Sequence, residues 1–153
     1  SANSRELIRR SIETEDNVIS ASNSVMAINF FKLYQLGFGK DLKTRAQAML
    51  SQMRDRVNQF PKNHSNWLRL SLLLKNPFEV TVISGKKAFE WSDQLDSTWV
   101  SNRIIAASVK YSNLDLFKDR YSEKQTSIFA CVEGSCSLPI TAPNNYNPIN
   151  AQL

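Results

Sequence analysis

The stretch LLLKNPFEVTVISG divides this chain, because its apolar residues change period at Pro77. Upstream they recur every three or four positions, as on a helix. Downstream, FEVTVISG is a β-branched run closed by Gly85, the composition of a buried strand. Proline has no N–H and disfavours helix in the residue before it, so Asn76 and Pro77 cannot continue the helix above them. Helices followed by strands make an α+β chain. With 42% hydrophobic residues among 153, there is enough apolar material for a core.

Three helices are predicted before Pro77. The first, over 23–36, opens on cap-competent Ser22, Asn23 or Ser24 and closes on Gly37 and Gly39, which suit a left-handed turn. Asn29, Lys32 and Gln35 are its polar positions, and the rest of its circumference is apolar. The second, over 42–60, starts after the cap candidate Asp41 and is one-sided, with Leu42, Ala46, Met49, Leu50, Met53, Val57 and Phe60 at helical spacing. It should fold back on the first as an αα-hairpin. The third, over 65–75, carries Trp67, Leu68, Leu70, Leu72, Leu73 and Leu74. Helices as apolar as the first and third must be covered on several sides, so a large exposed apolar patch or self-association of the chain is expected.

Beyond Pro77, strands at 79–84 and 103–110 flank the helix-like KKAFEWSDQLDSTW, which reads as a β-α-β unit with parallel strands. A second pair, 126–132 and 136–141, turns over at Glu133, Gly134 and Ser135. The organisation is therefore a helical segment over 1–77, a small α/β segment over 78–142 and an extended tail over 143–153 that drapes over the surface.

The net charge of +5 does not amount to a nucleic-acid surface, because the 19 Lys and Arg never run longer than two and lack interleaved aromatics. No window reaches the roughly 20 apolar residues of a membrane span. The opening SANSRELIRR has no apolar signal core, and a cytoplasmic location is the expectation. No cofactor is expected. SGKK, after the first strand, matches no phosphate-binding fingerprint and reads as a turn.

The two cysteines, Cys131 and Cys136, stand close together in CVEGSC. With His64 they are too few for a four-ligand zinc site, and no metal is expected. A pair across a strand-turn-strand lacks the helix start that activates a Cys-x-x-Cys. Buried structural thiols, a hairpin-clasping disulfide and redox exchange stay open as alternatives, with packing rather than turnover expected of the pair. His64, in KNHSN, reads as a capping or surface residue.

Two segments carry a resemblance. ELIRRSIETEDNVISASNSVMAINFFKLYQL, through Asp16, Asn17, Val18, Ile19, Ser22, Asn23, Ser24, Val25 and Ala27, resembles the C-terminal third of the spermatogenesis-associated, thioredoxin-domain-containing family. Ser20 stands where that family usually has proline. The ending FACVEGSCSLPIT is similar to that family's closing strands, and EVTVISG agrees between them. The resemblance implies an N-terminal thioredoxin domain and a long α/α toroid, like that of six-hairpin glycosidases, of which this chain would be the last hairpins plus an α/β appendage. It implies the rest of that protein as partner. It also implies a carbohydrate-like cavity whose rim would include Asp16, Asn17, Ser22, Asn23 and Ser24 as ligand contacts. The leading expectation is a non-catalytic wall of that cavity. The alternatives are part of a sugar-active enzyme, with partners for Asp16 supplied from elsewhere, and a redox or protein-interaction module using Cys131 and Cys136.

Overall fold

A computed structural model describes residues 13–149 of the chain. Among the described residues are four α-helices and one mixed four-stranded sheet, an α+β architecture. Helices α1 (Ser22–Gln35), α2 (Leu42–Gln59) and α3 (Ser65–Lys75) come first. Strand β1 (Glu79–Ser84), helix α4 (Ala88–Asp96) and strands β2 (Arg103–Ser108), β3 (Ser127–Val132) and β4 (Ser135–Cys136) follow. No described helix is long and apolar enough to cross a membrane.

The expected helices and strands are present within one or two residues, except that the last strand is far shorter than 136–141. Only Ser135 and Cys136 pair as β4, and the chain returns to β3 once more through a single bridge between Ile128 and Ile140. Pro139 lies between these contacts and has no N–H to continue a ladder.

The capping expectations are corrected in detail. Ala21, rather than Ser22, Asn23 or Ser24, is the N-cap of α1; it has no side-chain oxygen for the first turn, and its own N–H donates to Asp16 at 3.1 Å. Asp41 precedes α2 without capping it, because its carboxylate turns to Arg45 Nε at 2.7 Å. Gly37 and Gly39 do adopt positive φ, 85° and 80°, after α1.

The sheet order is β2-β1-β3-β4, with β1 parallel to β2 and antiparallel to β3. Central β1 is buried on both faces, which is why its sequence reads as a continuous apolar and β-branched run. Val80 and Val82 join a core with Phe31, Met53, Trp67 and Leu70 of the three helices. Ile83 points the other way, into a smaller cluster with Ala88 and Leu95 of α4 and Ile128 of β3. The larger core crosses Pro77: the rings of Phe31 and Phe78 meet edge to face at 5.1 Å.

The tail is more than a surface drape. After a 3-10 turn at Pro143–Asn145, the Tyr146 hydroxyl donates to Glu79 Oε1, and the Ile149 N–H donates to Glu79 Oε2 at 2.8 Å. Glu79 is fully buried, and Thr81 Oγ1 donates to the same carboxylate at 2.6 Å. The last described residues are thus fastened to the central strand.

Candidate functional site

Residues 13–21 lie across the C-terminal end of α2 and the start of α3, and their anchor is Asp16. This carboxylate is 7% exposed and accepts four hydrogen bonds. Ala21 N and Ser24 Oγ approach Oδ1 at 3.1 and 2.6 Å, Asn66 Nδ2 reaches Oδ1 at 3.0 Å, and Asn66 N reaches Oδ2 at 2.9 Å. Asp16 therefore satisfies free N–H groups at the starts of two helices at once. Burial alone would raise its pKa, but the bonds from Ser24, Asn66 and Ala21 outweigh burial and leave the carboxyl below its ordinary value.

The other rim residues divide. Ser24 is buried beside Asp16, and Asn23 spends its amide on the Glu13 carbonyl at 2.7 Å. Asn17 and Ser22 are exposed. The five ligand-contact candidates are thus neighbours: Asn17 and Ser22 are exposed, Asn23 is half-buried, and Asp16 and Ser24 are buried. Around them the Trp67 indole N–H donates to the Thr14 carbonyl at 2.9 Å, and Arg56 reaches Thr14 Oγ1 at 3.2 Å.

His64 departs from the surface expectation. It is fully buried at the entrance of α3, with Nδ1 2.8 Å from the Phe60 carbonyl. That contact requires the proton on Nδ1, so in the neutral ring Nε2 is an acceptor, and it is buried without a hydrogen-bond partner among the described residues. Residues 60–63 before it are exposed. His64 holds the N-cap position of α3, as a capping reading expects, but without a side-chain cap bond: its ring turns inward to the Phe60 carbonyl instead.

SGKK is a strand-to-helix junction. Gly85 has φ +131°, and a Cβ there would stand 2.5 Å from Thr126 Cα and 2.9 Å from the Gln125 carbonyl oxygen. Thr126 Oγ1 in turn accepts the Lys87 N–H at 3.0 Å.

Of the alternatives for the cysteines, the structure contains the clasp. Cys131 of β3 faces Cys136 of β4 in register, and the two are joined by a disulfide. The connecting turn places Glu133 and Gly134 both at positive φ, 50° and 83°, as a two-residue hairpin of the primed type requires. One residue that sequence reasoning missed stands beside it. Arg120 Nη2 lies 3.1 Å from Cys136 Sγ, while Nη1 donates to the Leu116 carbonyl and the guanidinium sits 5.5 Å from the centre of the Phe129 ring. The bridge and Arg120 border a cleft of about 300 Å³ between the end of α1, the 115–120 loop and the hairpin. Arg120 lies in an irregular loop, where no period points to a partner 16 residues away.

No family model, curated protein or solved structure matches the chain.

Proposed function

We propose that this chain is a wall-forming, non-catalytic helical module whose outer face on α1 is covered by further helices of a larger α/α assembly. The carrying observation is a set of exposed apolar side chains, interspersed with Ser22 and Asn29, on a helix whose opposite side is already packed. Ala27, Ile28 and Phe31 of α1 are buried, whereas Val25, Met26 and Leu33 are 39, 48 and 39% exposed. At 100° per residue these three fall within about a third of the circumference, facing away from α2 and α3. Val18 and Ile19, just before the helix, add two more exposed apolar side chains.

The resemblance to the toroid region of the thioredoxin-domain family supports helices as the covering elements. In that setting Asn17 and Ser22 would meet a polar, sugar-like ligand at the rim, while Asp16 and Ser24 hold the rim in shape. A cytoplasmic location fits if the Cys131–Cys136 bridge resists or tolerates reduction, since cytosolic thiols are ordinarily kept reduced.

Oxidative footprinting tests the covering of α1. Met26 is the reporter and buried Met53 the control. Isolated chains at rising concentration should protect Met26 as copies substitute for the missing helices. An oxidation rate of Met26 that is fast and independent of concentration would overturn the reading.

A further inference from the structure

We propose that the Cys131–Cys136 bridge is a thiol-exchange site that oxidises a dithiol, with Arg120 stabilising Cys136 as the leaving thiolate. The inference is independent of what covers α1. Its first support is the placement of the guanidinium, 3.1 Å from Cys136 Sγ and held from behind by the Leu116 carbonyl and the Phe129 ring. A disulfide sulfur is a weak, uncharged acceptor and gains little from such a donor. A thiolate at the same place gains a charge-assisted hydrogen bond. Arg120 therefore favours the reduced pair over the bridged one.

Access is the second support. Cys136 is half-buried, whereas Cys131 is 5% exposed and packs in the main core, so a dithiol reaches Cys131 through the cleft of about 300 Å³ that both residues border. Tolerance of opening is the third. Cys131 lies on β3, which pairs with β1 along six residues, whereas β4 contributes only two. Breaking the bridge releases the short strand and leaves the central pairing in place.

In the exchange, one thiolate of the dithiol attacks Cys131 Sγ. The Cys131–Cys136 bond breaks, a mixed disulfide forms on Cys131, and the electron pair of the broken bond leaves on Cys136 Sγ beside Arg120. The second thiolate of the dithiol then attacks its own sulfur in the mixed disulfide, closing a cyclic disulfide and expelling Cys131 as a thiolate. Two electrons pass from the dithiol to the cysteine pair. Of the two protons the dithiol gives up, Cys131 takes one, and the other goes to solvent while Cys136 stays ionised. Asp115, Glu133 and Tyr34 border the same cleft, so the two carboxylates oppose an anionic thiol and favour a neutral dithiol, while Arg120 alone contacts the leaving sulfur.

The whole chain is equilibrated in buffers of reduced and oxidised dithiothreitol, and the reduced fraction is read by alkylation and mass spectrometry. Arg120→Met should lower the equilibrium constant for reduction about tenfold, equivalent to ~30 mV for two electrons, and Arg120→Lys should recover part of it. In the reduced parent chain, Cys136 should alkylate with a pH midpoint below the ordinary thiol value of about 8.5 and below that of Cys131. This second readout needs no variant, so it decides the matter even if Arg120→Met fails to fold. An unchanged equilibrium constant in a folded Arg120→Met, an unperturbed Cys136 midpoint, or reduction only on loss of the circular dichroism of the fold would each overturn the proposal.

Discussion

Asp16 and Asn66, 50 residues apart, are joined twice: the carboxylate accepts both the Asn66 backbone N–H at 2.9 Å and its side-chain amide at 3.0 Å. The same carboxylate holds Ala21 and Ser24 at the entrance of α1, so one buried side chain sets the position of two helix starts.

Asp16→Ala should therefore destabilise the fold by about 3 kcal/mol, because it leaves buried donors at both helix starts without an acceptor. Urea denaturation of the two chains at neutral pH measures it. The pH dependence follows from the lowered pKa. The contribution of Asp16 is complete above the unfolded carboxyl value of about 3.9 and is lost as pH falls through the lower folded value. Asp16→Asn should accordingly show a shallower loss of stability in acid than the parent.

Tyr146 should make the fold sensitive to alkali. Burial, together with the hydrogen bond to Glu79, pushes its hydroxyl up to about 12. A folded pKa above the unfolded value of about 10 means its contribution is whole below pH ~10 and is lost as pH rises towards the folded value. Tyr146→Phe should cost about 1 kcal/mol at neutral pH through the lost bond to Glu79. It should also remove part of the stability change between pH ~10 and ~12, which denaturant titrations across that range would show.

Two glycines at positive φ should respond differently to alanine. At Gly85 a methyl group would meet the Thr126 backbone at 2.5 Å, so Gly85→Ala should lower stability by about 3 kcal/mol through clash and backbone strain together. At Gly134 the space is open, and Gly134→Ala should cost about 1 kcal/mol from conformation alone. Thermal melts of the two variants give the comparison.

The elements were legible in the sequence where local chemistry decides them. Pro77 ends α3 at Lys75, and the β-branched run after it is β1, because both signals lie within a few residues of what they control. That a turn around Gly134 joins two strands carrying the cysteines was legible for the same reason. What stayed hidden depends on residues distant in the chain. Glu79 looks like an ordinary polar strand residue until the tail folds back and places Tyr146 and Ile149 on its carboxylate. Asp16 was picked out as a site residue, but its saturation by Asn66 is a tertiary fact. The buried Nε2 of His64 and the Arg120 contact with Cys136 likewise arise from packing of irregular segments, which carry no period to read.

The central claim, that the outer face of α1 is built to be covered, is tested most directly by light scattering on the parent chain and on the pair Met26→Lys, Leu33→Glu. Both substitutions lie on the exposed side of α1, opposite the buried Ala27, Ile28 and Phe31. The account predicts that the parent has a mass above that of one chain and rising with concentration, while the pair is monomeric and melts as the parent does. A parent chain that stays a monodisperse monomer at every concentration, indistinguishable from the pair, would contradict it.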